Sequence, residues 1–143
     1  MSEPDFKFTI PREGKPKKKH QFNRKTGTVY TPKDTLNFEA LVREYWYRKY
    51  GSMPAHIPPH TGPVRMVMLF INKRPKRLMR KKDPDGRLPC PQMPDWDNAG
   101  KAISDALNGV VYLDDKQVYD CHVIQMYGAK GEEPHIEIAI WED

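Results

Sequence analysis

Phe6, Phe8 and Ile10 alternate with polar neighbours, a period of two that predicts a strand over residues 5–10. The stretch 11–27, PREGKPKKKHQFNRKTG, has no apolar period and is rich in turn formers and cations, so it reads as a basic surface loop. Thr28–Tyr30 offers a second short strand. Pro32–Thr35 then opens a helix, with Asp34 or Thr35 as its N-cap. Phe38, Leu41, Val42, Tyr45 and Trp46 recur at i, i+3, i+4, i+7 and i+8, one apolar stripe on a helix that ends near Gly51.

Residues 52–62, SMPAHIPPHTG, form a proline-rich connection. Val64–Ile71 is apolar except for Arg65, the pattern of a strand buried on both faces. The run KRPKRLMRKK, residues 73–82, is the densest positive cluster and allows a helical turn from Pro75. DPDGRLPCPQMP reads as loop, and Asn98–Asn108 as the second helix. In that helix Ala99, Ala102, Ile103, Ala106 and Leu107 form the buried stripe, opposite Asp97, Lys101, Ser104, Asp105 and Asn108. Gly109 stands just past its end, where a left-handed residue is favoured. Val118–Tyr127 and His135–Trp141 alternate at period two across the turn-rich GAKGEEP and read as a hairpin closing the domain. Strand, helix, strand, helix, strand, strand predicts an α+β fold. A single small domain, 1–143, would carry a mixed β-sheet with two main helices packed on one face.

Composition narrows the class. A chain of 143 residues with 38% hydrophobic and 10% aromatic content can bury a working core. Cys90 and Cys121 do not make a disulfide scaffold and read as reduced thiols of a cytoplasmic protein. No apolar run approaches the roughly 18–20 residues of a membrane span, and MSEPDFKFTIP has no signal-peptide pattern. The net charge of +5 points to a polyanionic partner, nucleic acid before anionic membrane.

Against that basic background, residues 94–118, PDWDNAGKAISDALNGVVYLDDKQV, hold two acid pairs, Asp95/Asp97 and Asp114/Asp115. About eleven helical residues carry the chain roughly 16 Å, and the six extended residues 109–114 can cover at most about 20 Å. With Asn108-Gly109 as the turn, Asp114 and Asp115 can return to the level of Asp95 and Asp97. Clustered carboxylates repel and raise one another's pKa values, and a divalent cation relieves this. Magnesium takes one or two carboxylates, water and substrate phosphate, and can activate water against a phosphodiester. Lys101, one turn after Asp97, could neutralise a transition-state phosphate. Taken singly, each feature has a plainer explanation. Asp-x-Asp caps helices, Asp-Asp-Lys makes exposed turns, and Lys101 and Asp105 can pair with each other.

The ordered set is similar to a known signature. Asp-x-Asp-Asn, Lys, Asp-Ala-Leu, a short turn and Asp-Asp-x-Gln-Val resembles the RusA-type endodeoxyribonucleases, the Holliday junction resolvases of phage and prophage origin. The segment TGTVYTPKDTLNFEALVRE also resembles the N-terminal part of that family, less specifically. The resemblance implies a RusA-like fold and a homodimer that cuts four-way DNA junctions with magnesium or manganese, in recombination and repair. It implies Asp95, Asp97 and Asp115 as metal ligands and catalytic acids, Lys101 as the catalytic lysine, and a lesser part for Asp114. Trp96 stands where the family often has a smaller aliphatic residue.

A junction's approximate two-fold symmetry suits two protomers with one site each; the closing hairpin is a candidate interface. Lys17, Lys18 and Lys19, with Lys73, Arg74, Lys76, Arg77, Arg80, Lys81 and Lys82, are candidate phosphate contacts, although charge runs are usually solvated surface. Lys15, Arg24 and Lys25 extend the first run. Phe22 and Tyr30 could stack on unpaired bases or pack locally. His56, His60 and His122 with Cys121 lack zinc-site spacing, and no phosphate loop or nucleophile elbow occurs. Two rival functions remain at this level: a catalytically inert nucleic-acid-binding module, and a metal-dependent phosphatase on small phosphate esters.

Overall fold

A computed structural model describes residues 2–14, 21–30, 33–51, 57–91 and 95–143, with the backbone alone for 21–23 and 28–30. Lys15, Lys17, Lys18, Lys19 and His56 lie outside these residues, as do the side chains of Phe22 and Tyr30.

The apolar run in the middle of the chain becomes strand β4 (Val64–Asn72), while the alternating N-terminal segment becomes β1 (Phe6–Ile10). The two C-terminal alternating segments become β6 (Val118–Tyr127) and β7 (His135–Glu142). With β5 (Leu88–Pro89) they form one mixed five-stranded sheet in the order β1-β7-β4-β6-β5. β4 is central because both its faces are apolar. Val64, Met66, Met68 and Phe70 are buried against the helices, and Ile71 is buried at the strand's end.

The expected closing hairpin does not form. β7 pairs antiparallel with β4, and β6 pairs parallel with β4 on its other side, so β4 separates the two strands. Period-two alternation identifies a strand but not its neighbour. Up to Phe70 burial alternates along β4, so one face is fully buried and the other only partly covered, and the strand takes a partner along each edge.

Helix α1 (Lys33–Tyr50) begins ahead of its expected caps, so Asp34 and Thr35 fall in its first turn. It buries Phe38, Val42 and Trp46, with Leu41 and Tyr45 partly covered. Phe6, Phe8 and Tyr50 surround Trp46, with ring centroids 4.8–5.7 Å from its own. Helix α2 (Trp96–Ala106) lies in the crossover between parallel strands β4 and β6, and Arg43 of α1 donates to the Ala106 carbonyl (3.3 Å). A separate ladder pairs β2 (Gln21–Asn23), inside the stretch expected to be loop, with β3 (Thr28–Tyr30), the expected short strand, turning at Gly27 with φ 71°. Burial of Phe8, Ile10, Ile136, Ile138 and Ile140 beneath the helices completes an α+β domain.

Candidate active site

Helix α2 starts two residues earlier than its apolar stripe implies, which places Asp97 in the first turn. Asp95 occupies the N-cap position, but its side chain makes no capping hydrogen bond. Its carboxylate is therefore not committed to the ordinary structural role of such a residue. Along α2, Asp97, Lys101 and Asp105 follow one i, i+4, i+8 row, and Trp96, Gly100 and Ser104 follow the adjacent one.

Gly100 brings the helix onto the sheet. It is buried, and a Cβ there would sit 2.7 Å from Val123 Cγ2 of β6 and 3.7 Å from Met68 Sδ of β4. Only a residue without a side chain lets the helix backbone approach this closely.

The opposite border is the turn before β6. After α2 the backbone N–H of Gly109 (φ 77°) donates to the Tyr112 carbonyl (2.7 Å), and Tyr112 Oη donates to the Ser104 carbonyl (2.5 Å). Residues 115–117 then form a 3-10 turn capped by Asp114, whose carboxylate accepts from Lys116 N (3.0 Å). Gln117 Oε1 accepts from Asp114 N (2.9 Å), while its Nε2 donates to the carbonyls of His60 (2.8 Å) and Gly62 (2.9 Å). Asp114 is therefore engaged in holding the turn, and Asp115 is the acid this turn presents.

Asp97, Lys101 and Asp115 line one open cleft of about 250 Å³, floored by Met68 and Val123 and walled by Trp96. Two acids and a lysine from distant parts of the chain thus share one concavity. The return is shorter than the extended-chain estimate, because residues 108–112 fold into a compact turn. Asp115 arrives beside Asp105, eight residues and about 12 Å of helix beyond Asp97. Asp95 is exposed and does not line the cleft. Burial, a hydrogen bond with Asp114 and the charge of Asp105 hold the Asp115 carboxyl above its ordinary pKa. The neighbouring Asp114 is held below its own, chiefly by the Lys116 N–H. Burial likewise pushes the Tyr112 phenol up, with further contributions from Asp115 and Asp105.

Among the described residues, no three His, Cys, Asp or Glu side chains stand close enough to cage an ion by themselves. Magnesium does not require a complete protein cage, since one or two carboxylates with water and substrate phosphate suffice. Asp97 and Asp115 bring hard oxygen donors to the cleft, but Asp115 stands beside Asp105, about two turns along the helix from Asp97.

The basic run 73–82 divides. Arg74 is not a phosphate contact. It is buried, and its guanidinium donates to the carbonyls of Leu78 (2.8 Å), Gly86 (3.0 Å) and Pro84 (2.5 Å), pinning the loop from inside. Pro75 caps a 3-10 turn at Lys76–Leu78, as its position suggested. Lys73, Lys76, Arg77, Arg80, Lys81 and Lys82 are exposed, although Arg80 is paired with Asp83 (3.1 Å). Because β4 and β6 run parallel from Val64↔Val118 to Asn72↔Tyr127, this loop leaves the end of the sheet opposite Asp115. Nine residues at about 3.3 Å separate the two ends by roughly 30 Å.

Ionisable groups alone gave no role to Gly100 or Gln117, and Trp96 stood out only as a departure from the family pattern. A glycine inside a helix is itself a signal of close packing, and Gln117 stands at the third position of a capping box begun by Asp114.

The RusA family model, described as Endodeoxyribonuclease RusA, matches residues 11–141. The chain belongs to the RusA endodeoxyribonuclease family. The RusA match runs from just after β1 into the last strand and includes both borders of the cleft. The chain is also 38% identical over 110 residues to an uncharacterised protein of Bacillus subtilis (strain 168), YqaN, covering 71% of this chain and 75% of that protein. Among the described residues, no helix is long and apolar enough to cross a membrane.

Proposed function

We propose that this RusA-family protein is a magnesium-dependent endodeoxyribonuclease that resolves four-way DNA junctions by paired nicks, as part of recombination and repair in the cytoplasm. The observation that carries the reading is the convergence of Asp97, Lys101 and Asp115 on one cleft. Asp95, Asp97 and Asp115 would be the metal's carboxylate ligands, Asp115 having to close on Asp97 from its place beside Asp105. Bound magnesium, or manganese in its place, would supply charge neutralisation at the phosphate and a more acidic water. Lys101 places a cation beside the phosphate, where it offsets the negative charge that grows during attack on phosphorus. Asp114 and Gln117 fix the turn so that Asp115 keeps its position.

The exposed cations Lys73, Lys76, Arg77, Arg80, Lys81 and Lys82, together with Lys17, Lys18 and Lys19, would hold backbone phosphates. The Asp115 end of the cleft lies roughly 30 Å from the 73–82 loop, about nine base pairs at 3.4 Å each, so one duplex arm can touch both. A homodimer would present two clefts to the two strands of a junction.

The test incubates the protein with a synthetic four-way junction, a linear duplex and a nucleotide, each with and without magnesium. Symmetric nicks in the junction, dependent on magnesium, support the proposal. Binding without cleavage would leave a DNA-binding module, and turnover of the nucleotide alone would indicate a phosphatase; either result overturns it.

A further inference from the structure

Trp96 is the residue the cleavage chemistry leaves unexplained. The chain has three tryptophans. Trp46 and Trp141 are 2% and 8% exposed, whereas Trp96 is 64% exposed. An indole carries the largest apolar surface of any side chain, and burying it is ordinarily favourable. Here it stands at the first position of α2, directly before Asp97, and forms a wall of the cleft that holds Lys101 and Asp115.

The cleft floor is equally unsuited to phosphate. Met68 and Val123 offer no hydrogen bonds, and Gly100, one turn after Trp96, packs directly on Val123 and adds no polar group. The polar row Asp97–Lys101 and the row Trp96–Gly100 run side by side along the same helix. One row suits a charged backbone, and the other offers an aromatic face above an apolar floor. A DNA strand presents these two surfaces together, phosphate on one side and a nucleobase on the other. Stacking on an aromatic side chain tolerates any base, because every base has a π-face.

We infer that Trp96 stacks on an unpaired nucleobase next to the scissile phosphate and so positions the strand over Asp97 and Asp115. The inference rests on the cleft being the DNA-cleaving site proposed above. Trp96 is a positioning residue and takes no part in bond making or breaking. Branch points supply bases that are already unstacked, so the contact favours branched over fully paired DNA.

The exposed indole also provides the readout. The full chain is titrated with a four-way junction, a linear duplex and a single-stranded oligonucleotide in EDTA, following acrylamide-accessible tryptophan fluorescence. The expected result is protection of Trp96 by the junction and the single strand, and weaker protection by the duplex. Trp96→Ala should weaken junction binding roughly 5- to 150-fold, the range of one lost stack, and spread the nick positions. Trp96→Phe should restore most of both. Both variants replace an exposed side chain, and their unfolding midpoints should match the wild type.

If the wild type cuts junctions while Trp96 stays fully quenchable and Trp96→Ala binds normally, the stacking role is overturned and the nuclease reading stands. If Trp96 is protected by DNA but no cutting occurs with magnesium, stacking is supported and the nuclease reading fails. Protection that follows protein concentration without DNA would make Trp96 a contact between copies and overturn the inference.

Discussion

Gln117 Nε2 donates to the carbonyl of His60 at 2.8 Å, tying the turn that carries Asp115 to the segment entering β4. The same amide reaches Gly62 O at 2.9 Å, and its oxygen accepts from Asp114 N. Gln117→Leu removes all three bonds and leaves two carbonyls without this donor. The expected cost is about 1–3 kcal/mol of unfolding free energy, the penalty for stranding partly buried polar groups. It should show as a lower denaturant midpoint with an unchanged m-value. Nicking should fall as well, because the turn no longer holds Asp115 in register. A variant with wild-type stability would show that the tie contributes nothing.

Gly100 faces Val123 across a gap that admits no Cβ. Gly100→Ala must displace the Val123 side chain or lift α2 from the sheet, and overpacking of this kind costs about 1–3 kcal/mol. Lifting the helix also moves Asp97 and Lys101 away from Asp115. Val123→Ala should restore part of both stability and cleavage in the double variant, because it removes the colliding methyl group. Additive losses in the double-mutant cycle would rule out this contact as the cause.

These two contacts mark where sequence legibility ends. The i, i+3, i+4 stripe of Phe38, Val42 and Trp46 announced α1, and the unbroken run from Met66 to Ile71 announced a central strand, because burial leaves its period in the chain. Asp97, Lys101 and Asp115 were legible from their chemistry and order, and they do meet in one cleft. The partner of β6 was not legible, since alternation does not encode which edge a strand joins. Nor was the level at which Asp115 returns. An extended six-residue span would have reached Asp95, but the Gly109–Tyr112 hydrogen bond contracts it to Asp105. Arg74 was misread because a cation in a basic run looks like its neighbours until its three carbonyl partners are known.

Arg74 and Lys81 should therefore separate cleanly. Arg74→Ala leaves the carbonyls of Leu78, Pro84 and Gly86 without their donor. It should lower stability by about 1.5–3 kcal/mol, the range for a hydrogen-bonded charged group. Lys81→Ala together with Lys82→Ala should leave the unfolding midpoint unchanged and make log Kd for DNA less dependent on log salt, by about 0.9 in slope per lost phosphate contact. Equal effects of the two changes on stability would refute the division.

The Arg87–Glu132 pair makes a pH prediction away from the cleft. Arg87 Nη2 stands 2.6 Å from Glu132 Oε2, and the guanidinium holds that carboxyl down to about 2 from 4.5. A carboxylate with a depressed folded pKa contributes stability above its unfolded pKa and loses it as pH falls through the folded value. Glu132→Gln should be less stable than wild type at pH 7, and the difference should close between about pH 4.5 and 2. A difference independent of pH would mean that the pair acts through packing alone.

Asp115 has the opposite sign. Its pKa is raised by burial first and then by Asp114 and Asp105, so its charge opposes folding at neutral pH. Asp115→Asn should leave the metal-free protein as stable as wild type or more so. Magnesium should raise the melting temperature of the wild type and not that of the variant. The direct measurement is single-turnover cleavage of a four-way junction by Asp115→Asn in magnesium, beside its binding of the same junction in EDTA. A nuclease using this cleft predicts cutting reduced at least about a hundredfold with binding within a few-fold of wild type. Normal cutting by a folded Asp115→Asn would contradict the assignment of the site.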